Sequence, residues 1–465
     1  MQAARGPAEM QGWRNTDDQC KIGNRHLNFG RSSGRRNTET TGFLAPCERR
    51  LAHMNIVTLN IGSGSQKVLL FSSEQGRGDA NLAKEPVWEA KIDTTAPNQP
   101  VGKLFVLLKV NGASRRLELS RNSTIEERLH FTFGQMTQAD THALNQLSEV
   151  DAVAHRIVHG GAKYVEATEI DERVQKEIEE LGMLSPLHNP AQLQGVKAAK
   201  KKFGPTVQQI AVFDTAFHRS ISREAQTYAG PFSWIEKGII RYGFHGSSFR
   251  YAVDRVAHIL GRSAERKMIL CHLGGGCSLA AVLGNKSIDT TMGFSPLDGI
   301  AMCTRSGAVD PAILIYLLRK GVSLDDLDNL LNEGSGLSGL AGLPGDTRVV
   351  IPEAANGNDR ARLALDVFVH RLRAGIGSMM ASLGGCDVLV FTDVIGESEP
   401  SLRAAACEPF SFAGVKLDPQ KNGNASGDAE ISMDDSRVRI LVIKSGETWQ
   451  VAQEAAALCG RRGER

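Results

Sequence analysis

The residues best suited to chemistry in this chain lie in three short blocks. Arg241-Tyr242-Gly243-Phe244-His245-Gly246-Ser247-Ser248 sets one histidine among small residues that let a ligand approach the backbone closely. Further on, the apolar run Met268-Ile269-Leu270-Cys271 leads into His272-Leu273-Gly274-Gly275-Gly276-Cys277-Ser278. A strand running into a glycine turn with a hydroxyl is how backbone amides are presented to phosphate oxygens. A second strand-to-glycine unit stands at 55–67, with Gly62, Ser63, Gly64, Ser65 and Lys67. One such loop is often a plain turn. Two of them, with a histidine between, point to phosphoryl chemistry.

Five further constellations carry charge or rigid polarity. His155-Arg156-Ile157-Val158-His159-Gly160-Gly161 ends an expected strand with an arginine and two glycines. Pro186-Leu187-His188-Asn189-Pro190 is a rigid polar turn before a helix, and Phe213-Asp214 puts a carboxylate just past a strand. Met292-Gly293-Phe294 leads through Pro296 to Thr304-Arg305-Ser306-Gly307, and residues 388–398 read as strand into loop. Strand C-termini are where α/β folds bind ligands, so this distribution is ordered.

The elements that must position these groups are short β-branched runs alternating with amphipathic stretches, the pattern of an α/β architecture. Strands are expected at 55–60, 67–72, 103–110, 151–157, 209–213, 268–272, 278–283, 387–391 and 438–443. Helices are expected at 124–131, 138–149, 190–202, 247–260, 310–319, 324–332, 359–383 and 448–458. In the 359–383 helix, Leu363, Val367, Leu372 and Ile376 are the expected core face. The two strand–glycine–strand openings, at 55–72 and 268–283, hint at two halves of similar build. Residues 1–53 have few aliphatics and no periodicity; they are expected to be a disordered extension, or to precede a natural start at Met54.

At 465 residues the chain is long enough for two domains. A net charge of +2 with 23% charged residues gives no global signal for nucleic acid, and no apolar run approaches the roughly 20 residues of a membrane span. The eight cysteines are scattered with no C-x-x-C pair, which reads as free thiols in a reducing cytoplasm.

Together these blocks resemble the acetate kinase family, in order, over roughly residues 55–458. The resemblance implies two actin-like (ribonuclease H-like) α/β domains with the active site in the cleft between them, and a homodimer. It places one domain at 54–212 plus about 443–465, on the acyl and phosphoryl side, and the other at 213–442, on the nucleotide side. The implied reaction is reversible phosphoryl transfer from ATP to acetate, giving acetyl phosphate and ADP, with Mg2+ (or Mn2+) as cofactor. Arg156, Arg305, His188 and His245 match the groups that flank the transferring phosphoryl, with Asp214 orienting Arg156 or the carboxylate. An arginine fork suits both a planar carboxylate and trigonal phosphoryl oxygens. Val158, Leu187, Phe244 and Pro296 match the acyl pocket, where a valine leaves little room beyond a methyl group. Asn60 and Glu447 match the metal positions. Ser63, Ser65, Lys67, His272, Gly274, Gly276, Asp346, Thr347, Arg348, Asp393, Ile395 and Gly396 match the nucleotide side.

Departures from the family pattern cluster on that nucleotide side. Gly275 stands for an asparagine, and Asp393-Val394 for a glycine pair, so a carboxylate and a β-branched residue face the nucleotide route. Two alternatives therefore accompany the main reading: a changed donor, inorganic pyrophosphate, and a preference for propionate. A sugar kinase of the same superfold, or a non-catalytic actin-like ATPase, would not need Arg156, Arg305 and His245 converging on a carboxylate-sized pocket.

Overall fold

The computed structural model describes residues 54–62, 65–73, 82–94, 102–110 and 112–463; the expected extension at 1–53 and Ser63 lie outside them. The first sheet is built from β1 (Asn55–Ile61), β2 (Ser65–Ser72), β3 (Trp88–Asp93), β4 (Lys103–Val110), β5 (Ala113–Ser120), β6 (Ala152–Ile157), β7 (Thr168–Glu169) and β8 (Gln208–Phe213). The second holds β9 (Lys267–Leu273), β10 (Cys277–Leu283), β11 (Lys286–Thr290), β12 (Val388–Thr392), β13 (Ala429–Glu430) and β14 (Arg439–Ile443).

The strand orders are β5-β4-β3-β2-β1-β6-β8-β7 and β11-β10-β9-β12-β14-β13. In each sheet a first strand pairs antiparallel with the next in sequence and parallel with a strand beyond a helix. A second parallel step follows, to β8 or β14, and a short antiparallel edge closes the series. Strand for strand, β3-β2-β1-β6-β8-β7 repeats as β11-β10-β9-β12-β14-β13, with β4 and β5 extending the first sheet alone. The chain thus has the two halves of similar build suggested by its glycine openings, and the actin-like α/β fold implied by the family resemblance.

Each sheet is covered on both faces, which is why its central strands read as continuous apolar runs. On β9, Ile269, Cys271 and Leu273 enter one core cluster, while Met268 and Leu270 enter the cluster on the other face. The C-terminal helix Glu447–Gly463 follows β14 but packs Val451, Ala452, Ala455 and Ala456 onto Ile56, Ala154, Ile210 and Val212 of the first sheet. The last element of the chain thereby returns to its first strands.

Several expectations are corrected. Residues 138–149 form turns with only a 3-10 segment at Leu147–Glu149, because tertiary contacts claim the backbone there. Trp88 Nε1 donates to the Thr141 carbonyl at 3.0 Å, and Thr141 Oγ1 donates to the Gln135 carbonyl at 2.9 Å. The helix Asp359–Leu383 has the expected bounds, but its core face is Ala361, Ala364, Phe368, Leu372, Gly375, Ile376 and Met379. Leu363 is exposed and Val367 only half-buried, since the small residues Ala361 and Ala364 set the phase. Asp393–Ser398, expected as loop, is a short helix. The strands β3 and β5, together with the helices Glu172–Glu180 and Thr347–Ala355, had no counterpart in the expected elements.

Candidate active site

Parallel strands end on one side of a sheet, and the side chains just past those ends face a common space. In the first sheet β1 delivers Asn60, β6 delivers Arg156 and β8 hands over to Asp214. In the second sheet β9 delivers His272, β12 hands over to Asp393 and β14 leads to Glu447. The repeated topology therefore places two sets of polar groups by the same rule.

Arg156 is the hub of the first set. Its Nε donates to both Asp214 oxygens at 3.0 and 3.1 Å, and its Nη2 donates to Asp214 Oδ2 at 2.7 Å. Nη1 lies 2.9 Å from Glu447 Oε2 and 3.3 Å from Asn60 Oδ1. Asn60 Nδ2 in turn donates to Glu447 Oε2 at 3.0 Å. Burial by itself would lower the guanidinium's pKa, but Asp214 and Glu447 outweigh it and hold Arg156 charged. Burial likewise pushes the Asp214 carboxyl up, with Arg156 opposing; three donated hydrogen bonds fit the carboxylate. Asp214, expected to orient Arg156 or the carboxylate, has Arg156 as its hydrogen-bond partner.

The second set surrounds the glycine turn between β9 and β10. His245 begins the helix Gly246–Leu260 in the left-handed region, at φ 59°, an uncommon state for a non-glycine residue that aims its ring back at the turn. Its Nδ1 shares a 2.8 Å hydrogen bond with the Ser278 hydroxyl, and its ring stacks on His272 at 4.0 Å. A Cβ at Gly276 would meet Arg305 Nη1 at 3.3 Å and His245 Nε2 at 3.4 Å, so glycine here lets both groups reach one point. His188, at the cap of the helix Asn189–Phe203, places Nε2 at 3.4 Å from Arg305 Nη2. Burial and then Arg305 and Arg156 depress the His188 pKa to about 3. Burial, His272 and the two arginines likewise drive His245 well below its ordinary value. Both imidazoles are neutral at neutral pH, each with a single N–H to donate.

Of the apolar residues expected in an acyl pocket, Val158, Leu187 and Phe244 stand within two residues of Arg156, His188 and His245 in sequence. Val158 and Phe244 are buried in one cluster, the Val158 amide held by Gln192 Oε1 at 3.0 Å. Leu187 stays partly exposed beside His188, and Pro296 is half-buried in the 293–298 segment.

On the nucleotide side the placement is mixed. Lys67 pairs in register with Asn60 across the β1–β2 hairpin, and the Ser65 carbonyl accepts from Gly62 at 2.8 Å. His272 Nε2 lies 3.3 Å from Asp393 Oδ2, and a side chain at Gly274 would collide with that same oxygen. Asp393 sits at φ 64°, a left-handed conformation that glycine adopts without strain. Ile395 and Gly396 are buried in the Asp393–Ser398 helix. Asp346 caps the helix Thr347–Ala355 through the Arg348 amide at 2.9 Å, and Arg348 folds back onto it. Thr347 Oγ1 donates to Glu399 Oε1 at 2.9 Å. These three residues are engaged with local partners.

Sequence reasoning did not assign the groups that hold the histidine rings and the 393–398 helix their roles. Ser278 and Ser248 fix the rings of His245 and His272, at 2.8 and 2.9 Å. Arg403, buried, donates from Nη1 to the carbonyls of Gly396 and Glu397 at 2.9 and 2.8 Å. An arginine in an apolar helix was the only signal available for it.

Glu447 Oε1 is buried with no hydrogen-bond partner, while its Oε2 accepts from Asn60 Nδ2. An unsatisfied carboxylate oxygen suits a hard divalent cation such as Mg2+, which takes few protein oxygens and keeps water in its shell. No cluster of three or more His, Cys, Asp or Glu side chains able to cage a metal exists among the described residues.

Residues 55–453 match the acetokinase family. The chain is 47% identical over 412 residues to the acetate kinase of Trichormus variabilis, covering 88% of this chain and all of that one. It is 47% identical over 408 residues to that of Gloeobacter violaceus, covering 86% and 98%. Its fold matches a crystal structure of Porphyromonas gingivalis acetate kinase with a TM-score of 0.77 at 32% identity, over 87% of this chain and all of that one. A propionate kinase from Francisella tularensis matches with a TM-score of 0.76, also at 32% identity, over 86% and 98%. With sheets, strand-end residues and family match in agreement, this chain belongs to the acetokinase family.

Proposed function

We propose that this protein is an ATP:acetate phosphotransferase working by direct in-line transfer, in either direction. A kinase acting on acetate is what membership of the acetokinase family carries. The observation that supports the residue roles is the convergence of Arg305, His245 and Gly276 at one point, with Arg156 close enough to depress both His188 and His245.

The acetate carboxylate binds with its methyl group against Val158 and Phe244, and one oxygen attacks the γ-phosphoryl. Phosphoryl transfer needs little covalent help but much positioning and charge stabilisation. Arg156, rigid because Asp214 grips two of its nitrogens, and Arg305 hold equatorial oxygens as charge builds on them. Ser278, donating to His245 Nδ1, selects the tautomer whose Nε2–H points at the same place. His188 Nε2 accepts from Arg305 and so fixes that guanidinium, leaving its own Nδ1–H free to donate. Asn60 and Glu447 would hold Mg2+, which would supply positive charge against the nucleotide phosphates. Gly274, Gly276, Ile395, Gly396 and the Asp346–Arg348 turn line the nucleotide route, on the domain formed by 213–442.

Inorganic pyrophosphate as donor is the second reading, favoured by the Asp393 carboxylate beside Gly274 and His272. Propionate is a third, given that one solved relative is a propionate kinase. Purified protein with Mg2+ and acetate, given either ATP or pyrophosphate and trapped with hydroxylamine, decides between donors. Hydroxamate with ATP alone supports the main reading, with pyrophosphate alone the second; none from folded protein sinks both.

A homodimer fits one surface. The helix Pro311–Arg319 has no buried residue, and its Ile313, Ile315, Tyr316 and Leu318 are about half exposed. No helix among the described residues is long and apolar enough to cross a membrane, and Cys271, Cys277, Cys303, Cys386 and Cys407 are free. The free thiols support a cytoplasmic location.

A further inference from the structure

A pocket of about 220 Å³ is lined by residues 165–167 and by three further elements that each begin at or next to a polar group of the candidate site. The segment 214–220 starts with Asp214 and contributes Ala216, Phe217 and Arg219. The helix Gly246–Leu260, capped by His245, contributes Ser247 and Arg250. The helix Glu447–Gly463 starts with Glu447 and contributes Glu454 and Arg461. The side chains of Asp214, His245 and Glu447 engage Arg156, Ser278 and Asn60, so these elements serve a different set of neighbours on the pocket side.

The donors in this pocket outnumber their acceptors. Ser247 is 2% exposed and its hydroxyl has no hydrogen-bond partner. Arg219 is exposed and has no carboxylate partner among the described residues. Arg461 reaches Glu166 only at 4.0 Å, while Arg250 is paired with Glu454 at 3.3 Å. Against three guanidinium groups stand two carboxylates, and burial raises the pKa of one of these, Glu454. A buried hydroxyl without a partner is costly and is satisfied by a ligand that accepts from it.

We propose that this pocket binds a small organic anion, bearing phosphate or carboxylate groups on a few carbons, and that the bound anion regulates phosphoryl transfer. Ser247 donates to one oxygen while Arg219 and Arg461 pair with the charge from either side. Such a ligand ties the 214–220 segment and two helices together. It thereby sets the spacing of Asp214, His245 and Glu447 without touching acetate or nucleotide. A differential affinity for one arrangement of these three elements is all that coupling requires.

The test uses phosphoglycolate, succinate and inorganic phosphate as probes on the whole enzyme. Thermal shift is measured for the wild type, for Arg305→Ala, and for Ser247→Ala combined with Arg219→Ala and Arg461→Ala. Phosphoglycolate or succinate is expected to raise the melting temperature of wild type and of Arg305→Ala, but not of the triple variant. The same anion changes kcat or an apparent KM by about fivefold or more, non-competitively with ATP and acetate, and this response vanishes in the triple variant. The triple variant keeps wild-type activity without anion, which also establishes that it folds; should it not fold, the exposed pair Arg219→Ala and Arg461→Ala replaces it. A shift lost in Arg305→Ala but kept in the triple variant places the anion in the active site and overturns the proposal. Absence of any shift at millimolar concentrations overturns it too. A stronger response to phosphoglycolate than to succinate marks the ligand as a phosphate ester, and the reverse order marks it as a dicarboxylate.

Discussion

Replacing Asp214 by asparagine keeps the side chain's shape while removing its charge and one acceptor. Asp214 receives donors from Arg156 Nε and Nη2, the latter at 2.7 Å. The amide retains one oxygen, so one of these two donors must face an NH2 group. A hydrogen bond to a charged group contributes about 1.5–3 kcal/mol, and Glu447 at 2.9 Å still neutralises part of the arginine. A loss of about 2–3 kcal/mol follows, and because Arg156 acts only where charge develops, most of it falls on the transition state. At 1.36 kcal/mol per decade this is roughly a 30- to 150-fold drop in kcat/KM for acetate. The assay is hydroxylamine-trapped acetyl phosphate with ATP, alongside thermal melting to confirm folding. Adding Asp214→Asn to Arg156→Ala should cost little more, since the two act as a unit. A folded Asp214→Asn enzyme within about threefold of wild type would show that Arg156 does not depend on this grip.

Four other outcomes are expected. Buried His155, His159 and His218 have pKa values depressed to about 4, and His188 to about 3, so the unfolded chain binds protons near pH 6.5 that the folded one refuses. Stability should therefore be full above that pH and fall towards pH 4, seen as a declining urea midpoint between pH 7 and 5; a flat midpoint contradicts it. Val158→Ala should shift the propionate-to-acetate ratio of kcat/KM upward about tenfold, from one methylene's worth of room, and an unchanged ratio would move the acyl pocket elsewhere. Asp393→Gly removes a left-handed non-glycine residue, a relief of about 1 kcal/mol, and a carboxylate beside the glycine turn; the KM for ATP should fall several-fold, and a rise would mean Asp393 helps hold the nucleotide. Light scattering should give the mass of two chains, and Ile315→Glu with Tyr316→Glu should give one; a dimer that survives both substitutions has its interface on another surface.

The sequence by itself determined the strand ends and what stands on them. Asn60, Arg156, Asp214 and His272 each follow or close an apolar β-branched run, and such runs are strands because both faces of their sheets are buried. The family resemblance was legible for the same reason: a residue just past a strand is fixed by local pattern. Local pattern was silent on β3, whose alternation of Trp88, Ala90 and Ile92 matters only once β2 and β4 flank it. It also misread 138–149, where Trp88 and Gln135 capture the backbone and hydroxyl groups that a helix would have used. Only the tertiary structure decided that Arg156 is shared among Asp214, Glu447 and Asn60, residues up to 387 positions apart in hydrogen-bonded pairs. It alone revealed that Asp393 reaches Gly274 and His272, and that Ser247 stands unpaired in a pocket lined by elements distant in sequence. Periodicity records which face of a segment is apolar. Which distant charge meets which depends on how two repeated sheets and a returning C-terminal helix pack, and no local spacing encodes that.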